Sequence, residues 1–397
     1  MNPRLGDLQP YPFEKLRQLL SQAKSHPAQP QPINLSIGEP RHPAAPLVVQ
    51  AMQESMAGLA TYPPTRGDGR LRGAIADWLA RRYGIARPDP DTQVLPALGS
   101  REALFAFAQT VIDPSADALV ICPNPFYQIY EGAALLAGAR PYFINAQESL
   151  DFGYDWHSVP DDVWRRTQLL FVCSPGNPAG NVFSLDTWRT LFQLSDQYGF
   201  AIAADECYSE IYLNEDQAPL GALQAAAQLG RTDYRKLLCF SSLSKRSNVP
   251  GMRSGFVAGD AQLIKQFLLY RTYHGSAMSA VVSQASIAAW NDEAHVIENR
   301  RQYRRKFDAV SPILQSVMDA PLPQAGFYLW ARTPGSDTDF VRDLHAQSGV
   351  TLLPGSFLAR DAHGRNPGAG RVRIALVAPE EQCVEAAHRI AEFIRQS

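Results

Sequence analysis

Residues 169–173 read Leu-Leu-Phe-Val-Cys and residues 200–204 read Phe-Ala-Ile-Ala-Ala. Between them, Leu185–Tyr198 spaces its apolar side chains with a helical period. Short, continuous apolar runs separated by one amphipathic helix are what strands buried on both faces of a parallel sheet look like. The same unit recurs on either side. Further strands are expected at Val94–Leu98, Ala118–Cys122, Lys236–Phe240 and Gly255–Ala258, with helical segments at Glu102–Val111 and Tyr127–Leu136. The fold class is therefore α/β, with a mostly parallel sheet covered by helices on both faces. In such sheets ligands sit beyond the carboxyl ends of the strands, so those ends carry the chemistry.

Outside that stretch the pattern changes. Residues 1–45 are rich in Pro, Gln and Ser, with one amphipathic piece at Phe13–Leu20, and read as an arm laid over another surface. Residues 46–290 form the large domain. From 291 to 397 a charged helix (Asp292–Val317), strand-like Gly326–Trp330, a helix near Asp337–Gln347, the run Val372–Val377 and a closing helix Glu380–Arg395 suggest a smaller α+β domain, to which the arm contributes.

Composition removes several functions. The 397 residues carry 37 basic and 39 acidic side chains, a formal net charge of -2, with 45% apolar and 19% charged residues. A balanced surface offers no global field for nucleic acid. No apolar run is long enough to span a membrane, and no secretory leader opens the chain, so a cytoplasmic protein is expected. The five cysteines, Cys122, Cys173, Cys207, Cys239 and Cys383, form no C-x-x-C pair and read as small core residues, without disulfide or metal.

Polar residues gather at the expected strand ends. Gly99-Ser100-Arg101-Glu102 follows the first strand and opens a helix, a turn suited to an anion or simply to capping. Pro123-Asn124-Pro125-Phe126-Tyr127 puts aromatics at the mouth of the sheet, and Ser174–Gly180 forms a rigid loop containing Asn177. Asp205 and Tyr208 follow the fourth strand. A carboxylate at the end of an apolar strand is costly unless a cation meets it. After the fifth strand come Ser241-Ser242-Leu243-Ser244-Lys245-Arg246 and then Arg253; the hydroxyls and Arg253 suit a phosphate.

Only six of the 37 basic residues are lysines. Lys15 and Lys24 lie in the arm, Lys236 precedes a strand and Lys265 sits on a surface helix. Lys306 ends the basic run Arg300–Lys306, read as a solvated helix face. Lys245 alone stands at a strand end among polar partners, where a desolvated amine becomes nucleophilic. An amine, a phosphate cradle, a strand-end Asp, a Tyr and an Asn suit pyridoxal phosphate. Lys245 would carry it, Asp205 would pair with its ring nitrogen, Tyr208 and Asn177 would bond its ring oxygen, and Tyr127 would stack on its face.

The ordered set Asn177-Pro178-Ala179-Gly180, Asp205-x-x-Tyr208 and Ser242-x-Ser244-Lys245, with Arg253 eight residues later, resembles the class I/II (fold-type I) pyridoxal-phosphate aminotransferases from about Leu35 to the last helix. The resemblance implies a seven-stranded-type sheet and adds roles. Arg373 would grip the substrate α-carboxylate with Gly38 beside it. Tyr62 would reach the phosphate of a neighbouring subunit, which implies a homodimer with shared sites. Residues 243–255 together with Gly38–Pro43 are similar to the succinyldiaminopimelate transaminases. That implies amino transfer between L-glutamate and N-succinyl-2-amino-6-oxopimelate, in the making of diaminopimelate and lysine. Arg41 and Arg246 are candidates for reading the distal end of a substrate, although for each a solvated surface arginine is the better reading.

The alternatives are an aspartate, aromatic or aliphatic aminotransferase and a β-eliminating lyase of the same fold. A nicotinamide dehydrogenase is disfavoured, since Gly67-x-Gly69-x-x-x-Gly73 has the wrong spacing and follows no strand. A cofactor-sensing regulator is disfavoured because few residues precede the match.

Overall fold

The computed structural model describes residues 1–23 and 30–396; Lys24 lies outside the described residues. Its centre is a seven-stranded sheet. Across the sheet the strands run Val94–Ala97, Gly255–Gly259, Leu237–Ser242, Ala201–Asp205, Thr167–Cys173, Leu119–Asn124 and Arg140–Asn145. All are parallel except Gly255–Gly259, which pairs antiparallel with both neighbours. Six were expected from sequence to within about two residues. The seventh, Arg140–Asn145, escaped because it is an edge strand, only partly buried over its first four residues and carrying Pro141.

Strand residues alternate between two cores. Ile121, Leu170, Val172 and Ile202 face helices Gly69–Tyr83, Leu185–Tyr198 and Ala280–Asn291. Val120, Leu169, Phe171 and Ala203 face helices Ser100–Val111, Ile129–Ala137 and Ala261–His274. A third core unites both chain ends: Leu16, Ile33 and Leu35 pack with Phe307, Leu344, Val372 and Ile390. Ile33–Asn34 pairs in parallel with Val350–Thr351, a two-residue ladder too short to show in the sequence. Beside it, Arg371–Ala375 lies between Tyr328–Arg332 and Leu353–Pro354. The arm is thus a built part of this region, with Pro12–Ser21 helical.

Two expectations about arginine and lysine fail. Arg246 is 1% exposed, so it is neither a solvated arginine nor a free cation for substrate. Its guanidinium lies 4.9 Å from the Trp290 ring centroid and 5.5 Å from that of Trp78, and pairs with Glu293 at 2.6 Å. The Arg300–Lys306 run is a solvated face only in part: Arg301 and Arg305 are exposed, but Arg300, Tyr303 and Lys306 are buried. Arg300 is neutralised by Glu215 at 2.8 Å, and a partner so far away in the chain leaves no local sign in the sequence.

Four of the five cysteines are buried, Cys207 is intermediate, and all are free. Among the described residues no cluster of metal-ligating side chains is present, and no helix is long and apolar enough to cross a membrane.

Trp290 anchors one core, with ring contacts to Trp78 at 4.8 Å and Phe256 at 5.2 Å. Trp290→Ala should lower unfolding stability by about 3–5 kcal/mol and leave Arg246 without one of its aromatic faces. Urea denaturation followed by circular dichroism measures this; a loss below about 1 kcal/mol would show that the cluster is not a stabilising core.

Candidate active site

Cys173, Asp205 and Ser242, the last residues of three neighbouring strands, line one cavity of about 500 Å³. Loops and both chain ends complete its wall. Of the residues expected from sequence, Gly38, Ser100, Arg101, Tyr127, Asn177, Tyr208, Ser244, Lys245, Arg253 and Arg373 also line it. Three do not. Arg41 is exposed and outside the wall, so nothing brings it to a substrate within this chain. Tyr62 is fully exposed. Gly99 sits just behind the wall, under Arg253.

Lys245 lies on the short helix Leu243–Arg246, directly after the Leu237–Ser242 strand. Its amine donates to the Gly38 carbonyl oxygen. Burial lowers its pKa to about 8; Arg373 and Arg253 push the same way, against Cys207 and Glu39. An amine so placed is about one-tenth neutral at pH 7, far more than an exposed lysine.

Asp205 ends its strand 5% exposed. Burial raises its pKa, while hydrogen bonds from the Tyr130 hydroxyl at 2.7 Å and the Cys207 backbone N–H at 3.2 Å oppose the rise. A cation in the cavity would hold it ionised. Tyr130 was not expected: in the apolar helix Ile129–Ala137 a tyrosine looks like core, and only the fold aims its hydroxyl at Asp205.

The helix N-terminus at Gly99–Ser100 and the Ser242–Arg253 segment form a second group. Ser242 Oγ donates to Ser244 Oγ at 2.8 Å and accepts from the Ser244 N–H at 3.1 Å. Ser100 Oγ accepts from the Cys207 thiol at 2.8 Å. Gly99 has φ +81°, and a Cβ there would fall within 2.4 Å of Arg253 Nη2. Any side chain would therefore evict the guanidinium, which is held by the Pro250 carbonyl at 2.9 Å.

Across the cavity, Arg373 donates to Asn177 Oδ1 at 2.9 Å and to the Ser36 carbonyl at 2.8 Å, and lies 4.4 Å from the Tyr328 ring centroid. Its Nε is buried with no hydrogen-bond partner among the described residues. Tyr208 and Tyr328 share a hydroxyl contact of 2.9 Å. Gly38 must be glycine here, because a Cβ would sit 1.8 Å from the Tyr328 hydroxyl. Tyr328 and the arm residues Tyr11–Phe13 join the wall unannounced by any local motif; Glu39, also on it, stands in the Gly38–Pro43 stretch, which implies no role for it. Four cationic side chains (Arg101, Lys245, Arg253 and Arg373) face two acidic ones (Asp205 and Glu39), so the cavity favours anionic ligands.

The sequence profile of the family described as "Aminotransferase class I and II" matches residues 30–390. The chain belongs to this family. A solved aminotransferase from Neisseria meningitidis is 54% identical, with a TM-score of 0.96 and 100% of each chain covered. An LL-diaminopimelate aminotransferase of Nitratidesulfovibrio vulgaris is 32% identical over 98% of each chain. A structure of a probable N-succinyldiaminopimelate aminotransferase from Thermus thermophilus is 27% identical, covering 96% of this chain and 98% of its own, with a TM-score of 0.82. The aminotransferases of this family use pyridoxal phosphate and exchange amino groups between amino acids and keto acids. The residues present fit that cofactor: a half-buried amine, a buried carboxylate at a strand end, and hydroxyls and a guanidinium packed against a positive-φ glycine whose Cβ would meet that guanidinium.

Two outcomes follow from this geometry. In the cofactor-free protein, Lys245 should acylate half-maximally near pH 8, as read by competitive labelling and peptide mass spectrometry; a midpoint near 10.5, the ordinary lysine value, would contradict the buried amine. Gly99→Ala should weaken cofactor binding about tenfold, about 1.4 kcal/mol, by displacing Arg253. Titration with pyridoxal phosphate measures it, and an unchanged Kd would count against the cradle.

Proposed function

We propose that this aminotransferase moves an amino group between L-glutamate and a long dicarboxylic keto acid of diaminopimelate synthesis, with N-succinyl-2-amino-6-oxopimelate as the acceptor. The observation that carries the catalytic part is the half-buried Lys245 amine, held by the Gly38 carbonyl in a cavity that Asp205 and Arg373 also line. Support for the substrate comes from two similar proteins, named for LL-diaminopimelate and N-succinyldiaminopimelate, and from the excess of cationic side chains around the cavity.

In this reading pyridoxal phosphate supplies an exchangeable carbonyl carbon and an electron-accepting ring. Lys245 holds it at rest. The free Lys245 amine would take the proton from the substrate α-carbon and give one back, as base and then acid. A pKa near 8 suits both tasks close to neutral pH. Asp205, oriented by Tyr130, keeps the ring nitrogen protonated. Ser100, Ser242, Ser244 and Arg253 take the phosphate, with the Gly99 turn and Arg101 beside them. Tyr208 and Asn177 serve the ring oxygen, and Tyr127 covers a ring face. Arg373 turns to the α-carboxylate beside Gly38. Tyr62, exposed with neighbouring Met56 and Leu59, completes the phosphate site of a second copy in a homodimer.

One observation favours a second substrate. Glu39 is an exposed carboxylate on the cavity wall, suited to a free distal ammonium such as that of LL-diaminopimelate, which succinylation would remove.

Borohydride reduction and peptide mapping should place the cofactor on Lys245; a label elsewhere would overturn the assignment. Lys245→Ala should lower kcat by about 10³-fold or more. Steady-state kinetics should give parallel ping-pong lines with glutamate. Preference for LL-diaminopimelate over its N-succinyl derivative would select the second reading, and preference for aspartate or an aromatic donor would reject both.

A further inference from the structure

Lys306 is 2% exposed inside the protein, and nothing in the reaction above uses it. Its amine lies 2.7 Å from His42 Nε2 and donates to the Leu376 carbonyl at 3.2 Å. His42 Nδ1 lies 2.9 Å from Asn299 Oδ1. Asn299 Nδ2 in turn reaches the backbone carbonyls of Lys245 at 3.1 Å and Arg246 at 3.3 Å. Asn248 Nδ2 donates to the same Asn299 Oδ1 at 2.9 Å.

The chemistry of these partners fixes the direction of every bond. Two backbone carbonyls can only accept, so the Asn299 amide nitrogen faces them and its oxygen faces His42. His42 Nδ1 must then carry the proton, which leaves Nε2 as an acceptor for Lys306. A proton on both ring nitrogens would set two cations 2.7 Å apart. Burial and Lys306 both lower the His42 pKa, and burial lowers that of Lys306 to about 8, with Arg305 and Arg41 adding to the fall and Cys383 and Glu380 opposing it. Asn299 and Lys306 lie seven residues apart on the Ala294–Gln315 helix, two turns along one face.

The helix Leu243–Arg246 spans a single turn and ends at the residues whose carbonyls Asn299 binds, where no helical donor remains. The segment that carries His42 also carries Gly38, whose carbonyl takes the Lys245 amine. We propose that Asn299 is a positioning residue for the catalytic lysine: with His42 and Lys306 behind it, it fixes the Lys245 backbone against the 38–42 segment so that the side chain stays buried and aimed at the Gly38 carbonyl. This rests on Lys245 being the catalytic amine.

The test compares Asn299→Ala, His42→Ala and His42→Asn with the wild type. The last keeps an N–H at the position of Nδ1. Competitive acylation of cofactor-free protein gives the midpoint of Lys245 titration, and the pH at which the visible band of the holoenzyme titrates gives a second reading. Asn299→Ala should raise the acylation midpoint by about one unit, as the loosened amine gains water, and lower kcat about tenfold or more while the KM for glutamate changes less than about threefold. His42→Ala should shift both in the same direction, and His42→Asn should restore most of the shift. Unchanged midpoints in folded Asn299→Ala would overturn the proposal, as would equal behaviour of the two His42 variants; should Asn299→Ala fail to fold, the His42 pair decides. Borohydride labelling of the wild type away from Lys245 would instead overturn the proposed function.

Discussion

An amine taken out of water at the end of an apolar strand is the constraint around which the molecule is arranged. Lys245 is held there by the Gly38 carbonyl and beside the Phe327 ring, which replace only part of its hydration, and its pKa falls to about 8. Meeting that constraint needs groups from remote parts of the chain. Gly38 comes from the segment after the arm, Asp205 from the adjacent strand, and Arg373 from the small sheet. The seven-stranded sheet supplies the level on which the strand ends meet, and the third core, joining Leu16 and Leu35 to Phe307 and Ile390, brings Gly38 and Arg373 down onto it.

Arginine and lysine divide the work by their hydration. Arg246, Arg271 and Arg300 are buried as flat cations, stacked on rings or paired with Glu293, Glu102 and Glu215. A guanidinium tolerates such sites because it is weakly hydrated and keeps its charge. The half-buried Lys245 and the buried Lys306 lack a carboxylate within ion-pair distance among the described contacts and are the lysines whose pKa falls most. A chain with few lysines and many arginines thus places its adjustable amines in two spots, joined through His42 and Asn299.

Much of this was legible in the sequence, for a physical reason. Strands buried on both faces are written as uninterrupted apolar runs, and strand ends with polar residues stand out against them. Six of seven strands and the cavity residues Asp205, Asn177, Lys245 and Arg253 could be read that way. What could not be read depends on distant partners. Arg140–Asn145 is an edge strand with a mixed pattern. Tyr130 looks like core until Asp205 is placed beside it, and Tyr328 is one aromatic among several in Gly326–Trp330. Arg246, Arg300 and Lys306 looked solvated because their glutamates, rings and carbonyls lie elsewhere in the chain.

The antiparallel strand Gly255–Gly259 has a consequence for the order in which the protein can be assembled. Val94–Ala97 pairs only with that strand, so during synthesis it waits, apolar and unpaired, until about 160 further residues have been made. The Lys245 loop lies immediately before the same strand, so the closing of the sheet and the shaping of the site belong to one late event. A ribosome-bound chain that stops short of Gly255 therefore holds an open edge at Leu237–Ser242, the kind of unpaired strand that invites wrong pairing until the next strand is made.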